Sequence, residues 1–66
     1  MIIGKYGNNQ LECPDAPYNV SDAVIADYVR EQLAHFYPEV RKASFVKEVS
    51  GANTFFIFTV TGGTKA

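Results

Sequence analysis

Apolar positions along the chain fall into short strand-like runs on either side of one run with helical spacing. Met1 to Tyr6 is short, apolar and rich in β-branched residues. Gly7-Asn8-Asn9 follows, and both residue types tolerate positive φ. Gln10 to Cys13 alternates polar with apolar, so these segments predict a β-hairpin. Pro14-Asp15-Ala16-Pro17 then breaks the chain into a loop. Ser21 is a good helix N-cap, with Asp22 placed to complement the helix dipole. Val20 and Ile25 flank that cap as a hydrophobic staple. Ile25, Tyr28, Val29, Gln32, Leu33 and Phe36 recur at three- and four-residue spacing and predict one helix face. Asp27, Arg30, Glu31 and Ala34 fall mostly on the other side, where Asp27 and Arg30 can pair. Pro38 disfavours helical geometry in the residue before it, so the helix is expected to stop by Tyr37.

The second half reads as another hairpin. Ala43 to Val49 alternates weakly, with Phe45 and Val49 on one face and Val46 and Glu48 on the other. Ser50-Gly51-Ala52-Asn53 is a turn signal. Thr54 to Thr61 is the strongest strand. Its faces are Phe56, Phe58, Val60 and Phe55, Ile57, Thr59, both carrying apolar residues, as suits a central strand. Strand-strand-helix-strand-strand predicts an α+β fold of the β-grasp (ubiquitin-like) kind. That is a ββαββ chain whose four-stranded mixed sheet packs on one helix, with the first and last strands parallel at the centre. A helix of about 16 residues would span roughly 24 Å, enough to cross the sheet. An open ββαββ sheet of another strand order and a domain-swapped dimer are the alternatives.

Composition narrows the class. Sixty-six residues make one domain, expected over residues 1–61 with a flexible tail at 62–66. An apolar fraction of 47%, with five Phe and four Tyr, can supply a core without a metal or a disulfide framework. The net charge of −1 gives no basic footprint for nucleic acid. The lone cysteine excludes an internal disulfide and suits a reducing cytoplasm. No apolar run approaches the ~20 residues of a membrane span. The start of the chain lacks the features of a signal peptide.

Candidate chemistry is sparse. Cys13 could be a nucleophile and His35 its base, but no orienting acid or oxyanion motif accompanies them. A packed thiol and a surface histidine favoured by the helix dipole are the simpler readings. One His and one Cys do not assemble a zinc site, so neither metal nor cofactor is expected, and the chain reads as a non-enzyme. Two features do stand out. A sheet covered by one helix leaves one face open. With Phe56, Phe58 and Val60 against the helix, Phe55, Ile57 and Val46 would form an outward patch for a partner. A one-residue change of register would exchange the faces, and the Pro14–Tyr18 loop could cover the patch. Tyr6, Tyr18 and Tyr37 are either its rim or plain core. The other feature is Gly62-Gly63 directly after the last strand. A di-glycine there is how ubiquitin-like modifiers present a reactive end, because glycine lets the chain thread a narrow channel in extended form. A frayed terminus is the commoner meaning of such a pair.

The run Leu11-Glu12-Cys13-Pro14-Asp15-Ala16-Pro17, with Ser21, Val29, Phe36-Tyr37-Pro38-Glu39-Val40, Ala43, Phe56-Ile57-Phe58 and Gly63-Thr64-Lys65, resembles the protein C family of PRTRC cassettes. The family is similar to prokaryotic ubiquitin-like proteins, and the resemblance covers about residues 11 to 66. Cys13 stands where the family would carry an acidic residue, and Ala66 where it tends to end in glycine. The resemblance implies three partners in bacteria: a ThiF-like activating enzyme, a conjugating-enzyme-like protein and a JAB-type peptidase. It implies that Gly63 becomes the carboxylate donor once Thr64-Lys65-Ala66 is removed. Against the modifier stands a non-covalent interaction module of a mobile-element or defence cassette. A homodimer, or larger homo-oligomer, pairing sheets edge to edge is a third reading.

Overall fold

A computed structural model describes residues 1–60. The elements in chain order are β1 (Ile2–Tyr6), β2 (Asn9–Glu12), helix α1 (Asp22–Ala34), a 3-10 helix (Pro38–Lys42), β3 (Ser44–Ser50) and β4 (Asn53–Thr59). The four strands form one mixed sheet in the order β2-β1-β4-β3. Both hairpins are antiparallel, and β1 lies parallel to β4 at the centre. This is the expected α+β, ββαββ arrangement, with the strand order predicted from two hairpins joined by a crossing helix.

Each hairpin turns on a glycine. Gly7 and Gly51 both have φ +61°, at the first position of a two-residue loop, and among the described residues no other residue type has positive φ. That position calls for glycine in the type II′ turn, whose twist matches that of the strands it joins. Open space surrounds a Cβ added at Gly51, so only the backbone opposes a side chain there. Gly51→Ala is therefore expected to cost about 1–2 kcal/mol, measured as a lower urea midpoint with an unchanged slope. A Gly51→Ala chain as stable as the parent would refute the turn assignment.

Phe56 and Phe58 are buried under the helix, as their alternation predicts. Phe45 packs its ring 5.7 Å from Phe56 and 6.3 Å from Phe58. Val60 lies just past β4, half-buried against the same core. Gly4 sits opposite Phe56 on this face. A Cβ built on Gly4 would lie 2.5 Å from Val29 Cγ1 and 3.1 Å from Leu33 Cδ1. The helix thus rests directly on β1 backbone, a close approach that only glycine permits.

The helix departs from its expected extent and face. Ser21 caps it as predicted, its Oγ accepting from the Val24 N–H at 3.4 Å. It ends at Ala34, with His35 as C-cap. Phe36 lies beyond it and is 66% exposed, so it does not belong to the buried stripe. The stripe is Ile25, Ala26, Val29, Leu33 and Ala34. Ala34 was expected on the outer side, and Tyr28 and Gln32 are only half-buried. The cause is the 3-10 helix. Pro38 starts it, Val40 from it is fully buried, and it packs against α1, with Ala26, Ala34 and Val40 in one core cluster. Small side chains allow that approach. Arg30 bridges the same corner. Its Nη2 donates to the Ala43 carbonyl at 3.3 Å, and its guanidinium lies 5.4 Å from the Phe58 ring centroid. It also pairs with Asp27, as the spacing predicted.

Candidate functional site

The face of the sheet away from α1 is read from the strand registers. Side chains directly opposite one another on paired strands share a face. One row across the sheet runs Glu12, Ile3, Phe55, Glu48, and the next runs Gln10, Lys5, Ile57, Val46. Val46, Phe55 and Ile57 are thus brought together on the open face, as expected. Beyond Ile57, Thr59 stands opposite Ser44.

The patch is less open than the pattern implied. Val46 is 62% exposed, but Phe55 and Ile57 are half-buried. The side chain that screens Phe55 is Lys5, whose Nζ stands 5.7 Å from the ring centroid. A lysine can lay its apolar stem along such a surface and keep its ammonium wet. The Pro14–Tyr18 loop does not take part: Cys13 and Ala16 join the core on the helix side, and Tyr18 is 78% exposed. Ile3 and Lys5 were missed as members of this face. The signal was present in the sequence, because β1 alternates and its parallel pairing with β4 aligns Ile3 with Phe55 and Lys5 with Ile57. The result is an apolar strip with a carboxylate at each end of one row and an ammonium over its middle.

The other candidates separate. Cys13 is 4% exposed at the end of β2, where its N–H continues the ladder to the Ile2 carbonyl at 2.8 Å. Burial pushes its thiol up from the ordinary value of 9.0, opposed by a hydrogen bond from the Gly4 backbone. His35 is exposed at the far end of α1, and among the described residues no hydrogen bond joins the two. Cys13 is expected to resist alkylation in the folded chain at neutral pH and to react once urea unfolds it. Rapid labelling in the native state would overturn this placement. The linkage has a definite sign. A thiol raised in the folded state adds stability below pH 9.0, and that contribution fades as pH climbs through the folded value.

Tyr6 and Tyr37 are neither open-face rim nor deep core. Their ring centroids lie 5.4 Å apart with the planes tilted by 50°, and Tyr6 Oη donates to Glu39 Oε2 at 3.0 Å. Desolvation raises the Tyr6 phenol, and the Glu39 carboxylate adds to the rise. Glu31 is held below its usual range by Arg41, whose Nη2 stands 3.2 Å from its Oε1. Among the described residues no three His, Cys, Asp or Glu side chains cluster as metal ligands. No helix among them is long and apolar enough to cross a membrane. Gly62 and Gly63 lie outside the described residues. No family model matches the sequence, and no curated protein or solved structure matches it at a significant level.

Proposed function

We propose that the chain is a bacterial ubiquitin-like protein of β-grasp fold, acting in the cytoplasm as a modifier or carrier. The observation that carries the reading is the pairing of β4 with β1 at the centre of the sheet, three residues before Gly62. A central last strand anchors the point at which the chain departs. The two glycines after it carry no Cβ to block a narrow channel. The resemblance of residues 11–66 to the PRTRC protein C family supplies the partners. A JAB-type peptidase would hydrolyse the Gly63–Thr64 bond. A ThiF-like enzyme would then let the Gly63 carboxylate attack the α-phosphate of ATP, releasing pyrophosphate and leaving an acyl adenylate. A cysteine thiolate of the activating enzyme or the conjugating-enzyme-like protein would displace AMP to form a thioester. The chain contributes the carboxylate and a surface for recognition, with Val46, Phe55 and Ile57 as the apolar strip of that surface.

The second reading keeps the surface and drops the covalent step. It is favoured by the open-face strip, which would serve as a docking surface whether or not Gly63 reacts. Intact mass spectrometry of the chain with the peptidase, the activating enzyme and ATP separates the two. Loss of Thr64-Lys65-Ala66, followed by an adenylate or thioester at Gly63, supports the modifier. An unchanged mass with enzymes shown to be active on another substrate overturns it and leaves the interaction module.

A further inference from the structure

Charge is matched around the helix and unmatched on the open face. Around α1, Arg30 pairs with Asp27, Arg41 with Glu31 and Lys47 with Asp22. On the open face Glu12 and Glu48 are exposed, and among the described residues neither joins an ion pair. They stand at the two ends of the row Glu12, Ile3, Phe55, Glu48. Three strand spacings separate them, about 14 Å, with two apolar side chains between. The chain itself shows what this row attracts. Lys5, from the next row, places its Nζ 5.7 Å from the Phe55 ring centroid. The face of an aromatic ring and flanking carboxylates both favour a cation there.

We propose that this row docks a segment of a partner protein in which two arginine or lysine side chains flank an apolar one. The proposal rests on the reading of the Val46, Phe55 and Ile57 strip as a recognition surface, and it names the chemistry of what is recognised. The flanking cations meet Glu12 and Glu48, and the apolar side chain lies on Ile3 and Phe55. The width of the row sets the spacing. In an extended segment alternate residues face one way, so cations four positions apart span about 13 Å with the apolar residue midway. No two cations of this chain are four residues apart, so an extended segment of a second copy does not fit. Lys5 competes with the partner, because its ammonium occupies the ring face that an incoming cation would approach. Exposed ion pairs each contribute little, so an isolated segment should bind weakly and lose affinity as salt is raised.

A titration of the isotope-labelled full chain, followed by amide chemical shifts, tests this. The probes are a blocked arginine-serine-leucine-serine-arginine peptide and its twin with glutamate in place of arginine. The expected result is binding of the arginine peptide in the millimolar range, with shifts centred on Ile3, Phe55 and Glu48, and none by the twin. Glu12→Gln combined with Glu48→Gln should weaken binding at least tenfold while circular dichroism shows the fold intact. Lys5→Ser should strengthen it several-fold by clearing the ring. Equal binding of the two peptides overturns the proposal, as does a Gln/Gln chain that binds as the parent does, or shifts confined to another surface. If neither peptide binds while Ile57→Asp still blocks capture of the activating enzyme, the recognition surface stands and the basic partner is overturned. If Ile57→Asp leaves both capture and peptide binding untouched, the reading of that face fails and the proposal falls with it.

Discussion

Gly4→Ala is expected to destabilise the chain by about 1–3 kcal/mol, the range for forcing an extra carbon into a packed core. The sign is not obvious from local preference. Glycine within a strand is ordinarily a liability, so alanine there would gain about 0.5–1 kcal/mol in a neutral setting. Here the added Cβ would stand 2.5 Å from Val29 Cγ1, a separation no real contact sustains. The helix must lift or Val29 must move, and Val29 is fully buried. The steric term therefore wins. In a domain of this size each kcal/mol moves the thermal midpoint by roughly 4–8 °C, so the loss is easily read in a melt. Val29→Ala alone leaves a cavity and should also destabilise. The double variant should recover part of the loss, because the new methyl fills the space vacated, with a coupling of about 0.5–3 kcal/mol. Additive effects, or a Gly4→Ala chain as stable as the parent, would show that β1 and α1 do not meet there.

The largest functional effect is expected at Gly63. On the proposed modifier role, Gly63→Ala should abolish formation of the adenylate and thioester, because it adds a β-carbon to the residue that would enter the activating enzyme's channel. The fold should be unaffected, since the substitution lies beyond β4. Ile57→Asp is the complementary change. It places a carboxylate in the middle of the open-face strip, beside Lys5 and Val46. It should weaken capture of the activating enzyme at least tenfold while leaving Gly63 intact. A pull-down scored alongside the adenylation assay separates the outcomes. Gly63→Ala that binds but does not react, with Ile57→Asp that does neither, is the pattern of a modifier. Gly63→Ala with full reactivity would remove the covalent role of that glycine.

Much of the fold is legible in the residues because local and global preferences agree. Ser21 as cap, the glycines of both turns and the alternation of Phe55 to Phe58 each state a local geometry. Together they leave few ways to assemble two hairpins and a helix. The Val46, Phe55 and Ile57 face follows from the same alternation, because strand parity is a property of the chain. The sequence does not carry the neighbours of each face. Phe36 continues the helical spacing of Ile25, Val29 and Leu33, yet it is exposed because the helix stops at Ala34. Ala34 and Ala26 look unremarkable in the pattern. They are buried in one core cluster with Val40, which the Pro38–Lys42 3-10 helix brings against α1.

The sequence by itself therefore determined the order of elements, the strand parities and the position of the glycine pair, because these depend on residues close along the chain. Tertiary structure decided the rest. It set which flank of α1 is covered, how Lys5 comes to lie over Phe55, why Gly4 admits no side chain, and which strands lie at the edges of the sheet among the described residues. Each of those depends on residues far apart in sequence meeting at atomic distance, and no local spacing encodes that separation.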